Sequence, residues 1–308
     1  MRIGVESQPQ GILAWMEKAL AIVGAGRVGQ SLGRRLRENG WKIQSVVTRT
    51  EPSARKAARF IGAGKASAAI TRQIVSASAI LICVPDDAIR ETSGELARVG
   101  GEELRGKIVL HTSGACGSDA LDALRICGAA VGSMHPLQSF SGVDVPPLEG
   151  KIFAIEGDEV AVRVARQMVR ALGGTAVRIV AAKKPLYHAA GALAAGLVLA
   201  MEEAGVQMAM ASGMKRREAV RALLSLTRQV LEHYEKLGPQ KAWTGPLSRH
   251  DYRVVAAHED ALLEFRPEFL EAYRATCHLA ARVLADDPDA MLKELEAISR
   301  AKAFVKKV

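Results

Sequence analysis

The feature that most constrains the fold is an alternation of short apolar runs with helical stretches over the first 180 residues. Runs such as 19–23 and 79–84 are continuously apolar, as the buried strands of a parallel sheet are, and helical patterns separate them. After residue 180 the strand signals stop and the sequence stays helical. This order predicts an α/β protein with a doubly wound, mainly parallel sheet followed by an all-α domain. We place an N-terminal extension at 1–18, the sheet domain at 19–182 and the helical domain at 183–308.

Composition narrows the class of protein. The chain is 49% hydrophobic and 24% charged, which is ordinary for a globular protein. Its formal net charge is +9, but the basic residues are spread along predicted helices, so we favour a basic cleft for a phosphorylated cofactor over nucleic-acid binding. The 4 cysteines show no CxxC pair and no metal-like spacing, which predicts no metal site and a reducing, cytoplasmic location. The most apolar run, 189–201, is too short to cross a membrane, and no signal peptide is evident.

The stretch "AIVGAGRVG" places three glycines directly between a predicted strand and a predicted helix. Gly24 permits the tight turn, Gly26 lets a pyrophosphate approach the backbone, and Gly29 lets helix and strand pack closely. The helix N-terminus offers N–H groups to the phosphate charge. This is the Rossmann dinucleotide fingerprint in the context that it requires, with a tight turn without ligand as the alternative. Cofactor contacts are predicted for Gly24, Gly26, Arg27, Val28 and Gly29.

The end of the second predicted strand indicates which dinucleotide binds. NAD sites usually have Asp or Glu there, whereas "SVVTRTEPSARK" has Thr48, Arg49 and Thr50. An arginine with flanking hydroxyls suits a 2′-phosphate, because a guanidinium offers charge and a planar set of donors. Glu51 would favour NAD but falls past the expected strand end, and Arg49 would otherwise be a solvated loop residue. We therefore predict NADP(H) as the cofactor.

Ligands of open α/β sheets lie beyond the carboxyl ends of the strands, so the residues at those ends are candidates. In "VPDDAI", Val84 and Pro85 are predicted to flank the cofactor riboses, with Asp86 beside them unless it caps the next helix. In "HTSGA", His111 is a substrate contact or a core histidine. Ser113 either orients the nicotinamide and the substrate or caps the turn.

The stretch "VGSMHPLQSF" ends a predicted strand, 130–134, with His135 held directly before a proline. The proline drives the preceding residue into extended geometry, which fixes its backbone where the strand leaves the sheet. An imidazole held there can exchange a proton with a carbonyl or an alcohol near neutral pH. We predict that His135 is the general acid/base, with a purely structural role as the alternative.

The chain resembles a family of Rossmann-like oxidoreductases whose helical C-terminal half is known only as a domain of unknown function. The resemblance covers residues 20 to about 285 and rests on "GAGRVG", "VPDDAI", "HTSGA", "GSMHPLQSF", "KPLYHAAG" and "TGPLSRHD" together. The family lies in the 6-phosphogluconate dehydrogenase-like superfamily, with pyrroline-5-carboxylate reductase and prephenate dehydrogenase as relatives. The resemblance implies NADP binding, a homodimer through the helical domain and an active cleft between the domains. It also implies proton transfer by His135 and contact of Ser113 with nicotinamide and substrate.

Two positions depart from the family pattern. Gly196 stands where an Asn is expected, which removes a polar group from the predicted substrate side. His250 stands where the family has the glycine of an Arg-Gly-Asp sequence.

The helical domain contributes further candidates. His188 and Lys184, at the start of its first long helix, are predicted polar catalytic partners, and Tyr187 is a predicted substrate contact. Thr244 and Arg249 lie on a predicted helix–helix loop, from which Arg249 could bind a substrate carboxylate across a dimer. The alternatives are ordinary polar residues at a domain junction and in a turn.

These features predict an NADP(H)-dependent oxidoreductase that moves hydride between the cofactor and a small carbonyl, alcohol or imine. Neither a nucleic-acid nor a membrane partner is expected. One alternative is an NADP(H)-binding sensor or scaffold without turnover. Another is a deazaflavin-dependent reductase, which shares the fold.

Overall fold

The computed structural model describes residues 17–142 and 145–305, so nearly all of the predicted extension at 1–18 lies outside the described residues. An eight-stranded sheet has the order β3-β2-β1-β4-β5-β6-β7-β8. Neighbouring strands are parallel except β6 and β7, which are antiparallel. The strands are β1 (Ala19–Val23), β2 (Lys42–Val47), β3 (Lys65–Ser67), β4 (Ala79–Ile82), β5 (Ile108–His111), β6 (Ala130–Pro136), β7 (Ile152–Gly157) and β8 (Thr175–Arg178).

Helices lie in most of the connections between strands, and helices joined by short loops follow β8. A π-helical segment, Leu193–Leu197, joins α6 to α7. The α-helices are α1 (Arg27–Glu38), α2 (Glu51–Ile61), α3 (Ile89–Gly100), α4 (Asp122–Ile126), α5 (Glu159–Ala171), α6 (Lys184–Ala192), α7 (Val198–Ala211), α8 (Arg216–Leu237), α9 (Pro239–Ala242), α10 (Tyr252–Phe265), α11 (Pro267–Leu284) and α12 (Pro288–Val305).

The sheet has a hydrophobic core on each face. Leu20 and Ile22 of β1 belong to one core cluster, whereas Ala21 and Val23 belong to the other, because successive side chains of a strand point to opposite faces. The first cluster includes residues of α1, α2 and α5, and the second includes residues of α3 and α4. Burial on both faces explains the continuously apolar strands. The predicted fold class, a doubly wound and mainly parallel sheet followed by a helical region, is confirmed.

The chain divides into two compact units, 1–195 and 196–308. The predicted domain boundary at 182/183 follows the end of the strand signals, but α6 stays with the first unit, because fully buried Lys184 hydrogen bonds to Ser113 and Ser133. The second unit has its own small core on α10, α11 and α12, formed by Val255, Cys277, Ala281, Met291 and Leu295.

Two strands differ from the expectations. Sequence patterns did not indicate β3, because it has three residues, none of them fully buried, and no apolar run. Strand β6 continues two residues beyond the predicted end at Met134, because antiparallel β7 pairs with His135 and Pro136. His135 therefore lies within the hydrogen-bonded ladder rather than after it.

Among the described residues, one helical stretch, Ala181–Ala211, is long and apolar enough to cross a membrane, judged by length and composition alone. At 31 residues it is longer than the apolar run 189–201 on which the prediction of no membrane span rests. Its apolar side chains are largely exposed, including Leu186, Leu193 and Leu199.

Candidate functional site

The glycine loop lies where the chain leaves β1, next to the carboxyl end of β4. Gly24 has a positive φ of 83°, and a Cβ added there would lie 2.6 Å from Val84 Cγ1 and 2.7 Å from the Val84 nitrogen. A Cβ on Gly29 would lie 2.9 Å from the Gly24 carbonyl oxygen. Backbone geometry and close packing therefore require glycine at positions 24 and 29.

Gly26 differs from the other two glycines. Its φ is −76°, and an added Cβ would meet nothing within 4 Å. It is the N-cap residue of α1, and no side chain caps the first turn of this helix. The fold gives no reason for glycine at this position, whereas the close approach of a phosphate to the helix N-terminus does. Arg27 and Val28, the other predicted loop contacts, begin the same helix.

The predicted 2′-phosphate contacts follow the carboxyl end of β2. Arg49 is exposed, and no hydrogen bond or ion pair holds its guanidinium within the described parts of the chain. The Thr48 hydroxyl donates to the Thr50 carbonyl, and the Thr50 hydroxyl caps α2 by accepting from the Ser53 N–H. Glu51 forms an i,i+4 ion pair with Arg55 at 3.2 Å. Arg49 is thus the uncommitted charged group at this strand end.

The residues after β4 form a short turn. Val84 packs against the second core cluster and the glycine loop, and Pro85 is exposed. Asp86 begins a one-turn 3-10 helix, Asp86–Ala88, and its side chain does not cap that turn. The cap interpretation of Asp86 is therefore not supported, and its carboxylate lies exposed at the same edge as Val84.

His111 and Ser113 are bonded into the loop that follows β5. His111 is fully buried; its Nδ1 accepts from the Ser113 N–H at 3.2 Å, and its Nε2 lies 3.1 Å from the Gly117 carbonyl. The Ser113 hydroxyl accepts from the N–H groups of Ala115 and Cys116. Both ring nitrogens of His111 are thus used by the backbone. This geometry favours the core-histidine and turn-cap alternatives over direct substrate contact.

Beneath this loop lies a buried polar cluster, here called the Lys184 network: Lys184, Glu156, Ser113, Ser118 and Ser133. Lys184 Nζ donates to the Ser113 carbonyl at 2.8 Å and to the Ser133 hydroxyl at 2.6 Å, and lies 3.7 Å from Glu156 Oε1. The hydroxyls of Ser133 and Ser118 donate to the two Glu156 oxygens at 2.6 and 2.8 Å. Burial lowers the pKa of Lys184, and the Glu156 carboxylate opposes this shift. Because Lys184 is 0% exposed, a direct catalytic contact is not favoured.

His135, Tyr187 and His188 meet above Gly114. His135 Nδ1 lies 2.9 Å from the Tyr187 hydroxyl, and the His135 and His188 rings meet edge-on with centroids 6.0 Å apart. A Cβ on Gly114 would lie 2.7 Å from His188 Cδ2 and 2.8 Å from His135 Nε2. The structure thus brings together three predicted site residues from β6 and α6, and only a glycine fits beneath them.

The surroundings of the two strand-end histidines favour their neutral forms. Burial, with a smaller effect of the Lys184 charge, lowers the pKa of His135 from 6.5 to about 4. The same two causes lower the pKa of His111 to about 4. Burial also raises the pKa of Tyr187, so its hydroxyl stays protonated at neutral pH. His135 is thus neutral near pH 7, whereas an ordinary imidazole would be partly protonated there.

The remaining candidates belong to the second unit. Thr244 and Arg249 are exposed and lie between α9 and α10, where Arg249 ends a 3-10 turn. His250 has a φ of 57°, the one positive value at a non-glycine position among the described residues, which explains why a glycine suits this position in the family pattern. Gly196 lies in the π-helical segment, where a Cβ would meet nothing within 4 Å. The substrate roles of Thr244 and Arg249 stay predictions.

Sequence reasoning missed four residues around this site: Glu156, Ser118, Ser133 and Gly114. Glu156 lies in the otherwise apolar run "IFAIEG", and a lone acid in a buried strand is the signal that could have indicated a buried partner. The described residues contain no group of three or more His, Cys, Asp or Glu that could hold a metal ion.

The lowered pKa values predict how stability depends on pH. Between about 6.5 and about 4 the unfolded chain binds protons at His111 and His135 that the folded chain does not, so the free energy of unfolding falls as the pH drops through this range. His111→Gln should weaken this dependence, measured by urea unfolding at pH 7 and pH 5. His233→Gln, on α8, serves as the control. An unchanged dependence in His111→Gln would contradict the buried, neutral assignment.

Two family models match the chain in succession. Residues 10–136 match the Rossmann-like domain, and residues 151–280 match a domain of unknown function, DUF2520. No curated protein matches the chain.

Solved structures share the fold. A provisionally named NADP oxidoreductase from Bacteroides fragilis has a TM-score of 0.68 at 19% identity, covering 84% of this chain and 96% of that one. An imine reductase from Streptomyces aurantiacus has a TM-score of 0.62 at 14% identity, covering 89% and 98%. The pyrroline carboxylate reductase of Plasmodium falciparum, solved with NADP bound, has a TM-score of 0.55 at 12% identity, covering 92% and 99%.

The identities are low, so these structures establish the fold and leave the reaction to be argued from the site. The two family models, a Rossmann-like domain followed by DUF2520, match in the order that the sequence motifs resemble.

Proposed function

We propose that the protein is an NADP(H)-dependent oxidoreductase that transfers hydride to or from a small carbonyl, alcohol or imine. One observation carries the proposal: Gly26, which the fold does not require, leaves open space at the uncapped start of α1. The parallel strands bring this space to the sheet edge at which His135 lies.

The residues at this edge fit a dinucleotide. The N–H groups of Arg27 and Val28 would hold the pyrophosphate, since no side chain caps α1. Val84 and Pro85 would flank the riboses. When bound, the nicotinamide supplies or takes up the hydride, while the protein orients the reactants and handles the proton.

Arg49 supports NADP(H) over NAD(H). Its guanidinium is exposed at the end of β2, where the 2′-phosphate of a Rossmann-bound dinucleotide is recognised. The competing acid, Glu51, is engaged with Arg55, and the hydroxyls of Thr48 and Thr50 are used locally. Selectivity for the phosphate therefore depends on Arg49.

His135 and Tyr187 are the pair that we propose for proton transfer. His135 is half-buried and neutral near pH 7, so it can accept a proton from an alcohol or an amine as hydride leaves. Tyr187 holds His135 Nδ1, which leaves Nε2 for the reacting group. His188, exposed beside the pair, is the proposed polar contact for the substrate.

The names of similar structures support a C=N or C=O substrate class. Two of them are an imine reductase and a pyrroline carboxylate reductase, and the second was solved with NADP bound. Together with the neutral histidine–tyrosine pair, these names favour a small imine or carbonyl as the oxidised substrate.

The cofactor assignment predicts that Arg49→Ala weakens NADPH binding about 10-fold or more and leaves NADH binding nearly unchanged, because charged hydrogen bonds to the 2′-phosphate are lost. Both affinities can be measured by fluorescence titration. Arg59→Ala removes the same charge from the far end of α2 and should change neither. An unchanged ratio of the two affinities in Arg49→Ala would refute the assignment.

The reaction is tested by following NADPH absorbance with pools of imines and carbonyl compounds. On a substrate found in this way, His135→Gln should lower kcat about 100-fold or more while NADPH affinity is kept, because proton transfer is lost. His233→Gln should retain full turnover. Full turnover by His135→Gln would exclude the proposed role, and binding without consumption in every pool would favour a sensor or scaffold.

We also propose that the protein is a homodimer through its helical domain. The stretch Ala181–Ala211 exposes many apolar side chains, which water disfavours and a second copy could cover.

Leu199→Asp should therefore shift the protein toward the monomer in light scattering coupled to gel filtration, because Leu199 is 69% exposed on this stretch. Ile126→Asp is the matched control, since Ile126 is an isolated, exposed apolar residue at the end of α4. A wild-type protein that is monomeric at micromolar concentration would contradict the dimer.

A further inference from the structure

No residue of the Lys184 network donates or accepts the proton in the transfer proposed above; Lys184 affects it only through the smaller effect of its charge on the pKa of His135. Burying an ammonium and a carboxylate is costly, and apolar residues of similar volume often give equal or greater stability. Here Lys184 is 0% exposed and Glu156 is 3% exposed. Stability alone therefore does not explain the Lys184–Glu156 pair. A requirement for a specific arrangement of the surrounding segments explains it.

The network joins four segments of the first unit: the loop after β5, strands β6 and β7, and the start of α6. Ser113 and Ser118 lie in the loop after β5, Ser133 and Glu156 are directly opposite each other on β6 and β7, and Lys184 begins α6. Lys184 Nζ contacts both the loop and β6. Among the described residues, the bond from Lys184 to the Ser113 carbonyl is the one hydrogen bond that joins the first turn of α6 to this loop.

Three of these segments, the loop after β5, β6 and α6, also carry His135, Tyr187, His188 and Gly114, which form the reactive cluster. Gly114 follows Ser113, and His135 lies two residues after Ser133, on the same side of β6. Tyr187 and His188 lie three and four residues after Lys184, on the same face of α6. Each of these three segments thus holds a residue of the Lys184 network next to a residue of the reactive cluster.

The residues of the reactive cluster are packed so closely that small displacements would change their contacts. A Cβ on Gly114 would approach both histidine rings to within 3 Å, and Tyr187 is within 2.9 Å of His135 Nδ1. A small shift of α6 would therefore separate Tyr187 from His135 or press His188 onto the loop.

We propose that Lys184, with Glu156 as its counter-charge, is a positioning residue that fixes α6 and the loop after β5 so that Tyr187, His188 and Gly114 meet around His135. It acts through the Ser113 carbonyl and the Ser133 hydroxyl and does not touch the reactants. The expected effect of Lys184 on turnover rests on the proposed function, whereas its effect on the alignment of these residues is independent of that function.

The alignment can be measured by NMR on the full, ligand-free protein with ¹³C-labelled histidine and glycine. Wild type should show cross-relaxation between Gly114 Hα and ring protons of His135 and His188. Lys184→Met should lose these signals, whereas Lys183→Met, at an exposed neighbouring lysine, should keep them. His135→Gln and His188→Gln assign the ring signals. Retention of the signals in Lys184→Met would overturn the proposal.

Lys184→Met leaves the buried Glu156 carboxylate without its counter-charge and could therefore fail to fold. A second variant covers this case. Lys184→Met combined with Glu156→Met removes both charges and should fold, yet should lose the same signals. Signals kept in the double variant, or failure of both variants to fold, would also overturn the proposal, since the network would then be dispensable or needed for the fold itself.

Activity gives a separate readout. If the proposed function holds, Lys184→Met should lower kcat about 10-fold or more with an unchanged NADPH dissociation constant, because misplaced reacting groups slow the chemical step. Since the NMR measurement needs neither cofactor nor substrate, failure of the alignment and failure of the hydride-transfer proposal are distinguishable.

Discussion

Parallel pairing of β1, β4, β5 and β6 is the constraint on which the rest of the structure depends. Strands that run in one direction end at one edge, so groups far apart in sequence meet there. The register keeps these ends level, with Val23 opposite Ile82, Ile82 opposite His111, and His111 opposite Ser133. The antiparallel strand β7 then brings Glu156 to the same level as Ser133. One edge therefore holds the glycine loop, the buried network and the reactive cluster.

Polar groups at this edge fall into two sets with different physical roles. His111 and Lys184 direct their hydrogen bonds into the protein and are fully buried, so they shape the edge. Arg49 and His188 are exposed, and Gly26 leaves open space, so these positions are available to the proposed cofactor and substrate. Buried polar groups must find partners within the fold, whereas groups that bind a ligand must be left without them. Hydrogen-bond satisfaction thus distinguishes the residues that stabilise this edge from those proposed to bind cofactor and substrate.

Much of the first unit follows from sequence patterns, because buried strands and amphipathic helices leave strong local signals. The glycine loop was predictable for the same reason, since a turn of fixed geometry needs glycine at fixed spacing. The hydrogen bonds of His111 were not predictable, because they depend on how the backbone turns between Ser113 and Gly117. The partnership of Lys184 with Glu156 was also hidden. It joins residues 28 positions apart on a helix and on a strand that runs against its neighbour β6, and a local pattern carries no signal for such a pair.

The contrast among the loop glycines has a consequence for how variants of this protein are selected. Gly24 and Gly29 are required by the fold itself, so a screen for expression or thermal resistance would remove substitutions at both positions. Gly26 is surrounded by empty space and has an ordinary negative φ, so a side chain there leaves folding intact. Such a screen would retain Gly26 variants, and a library filtered for folded protein alone would accumulate chains that cannot bind the proposed dinucleotide.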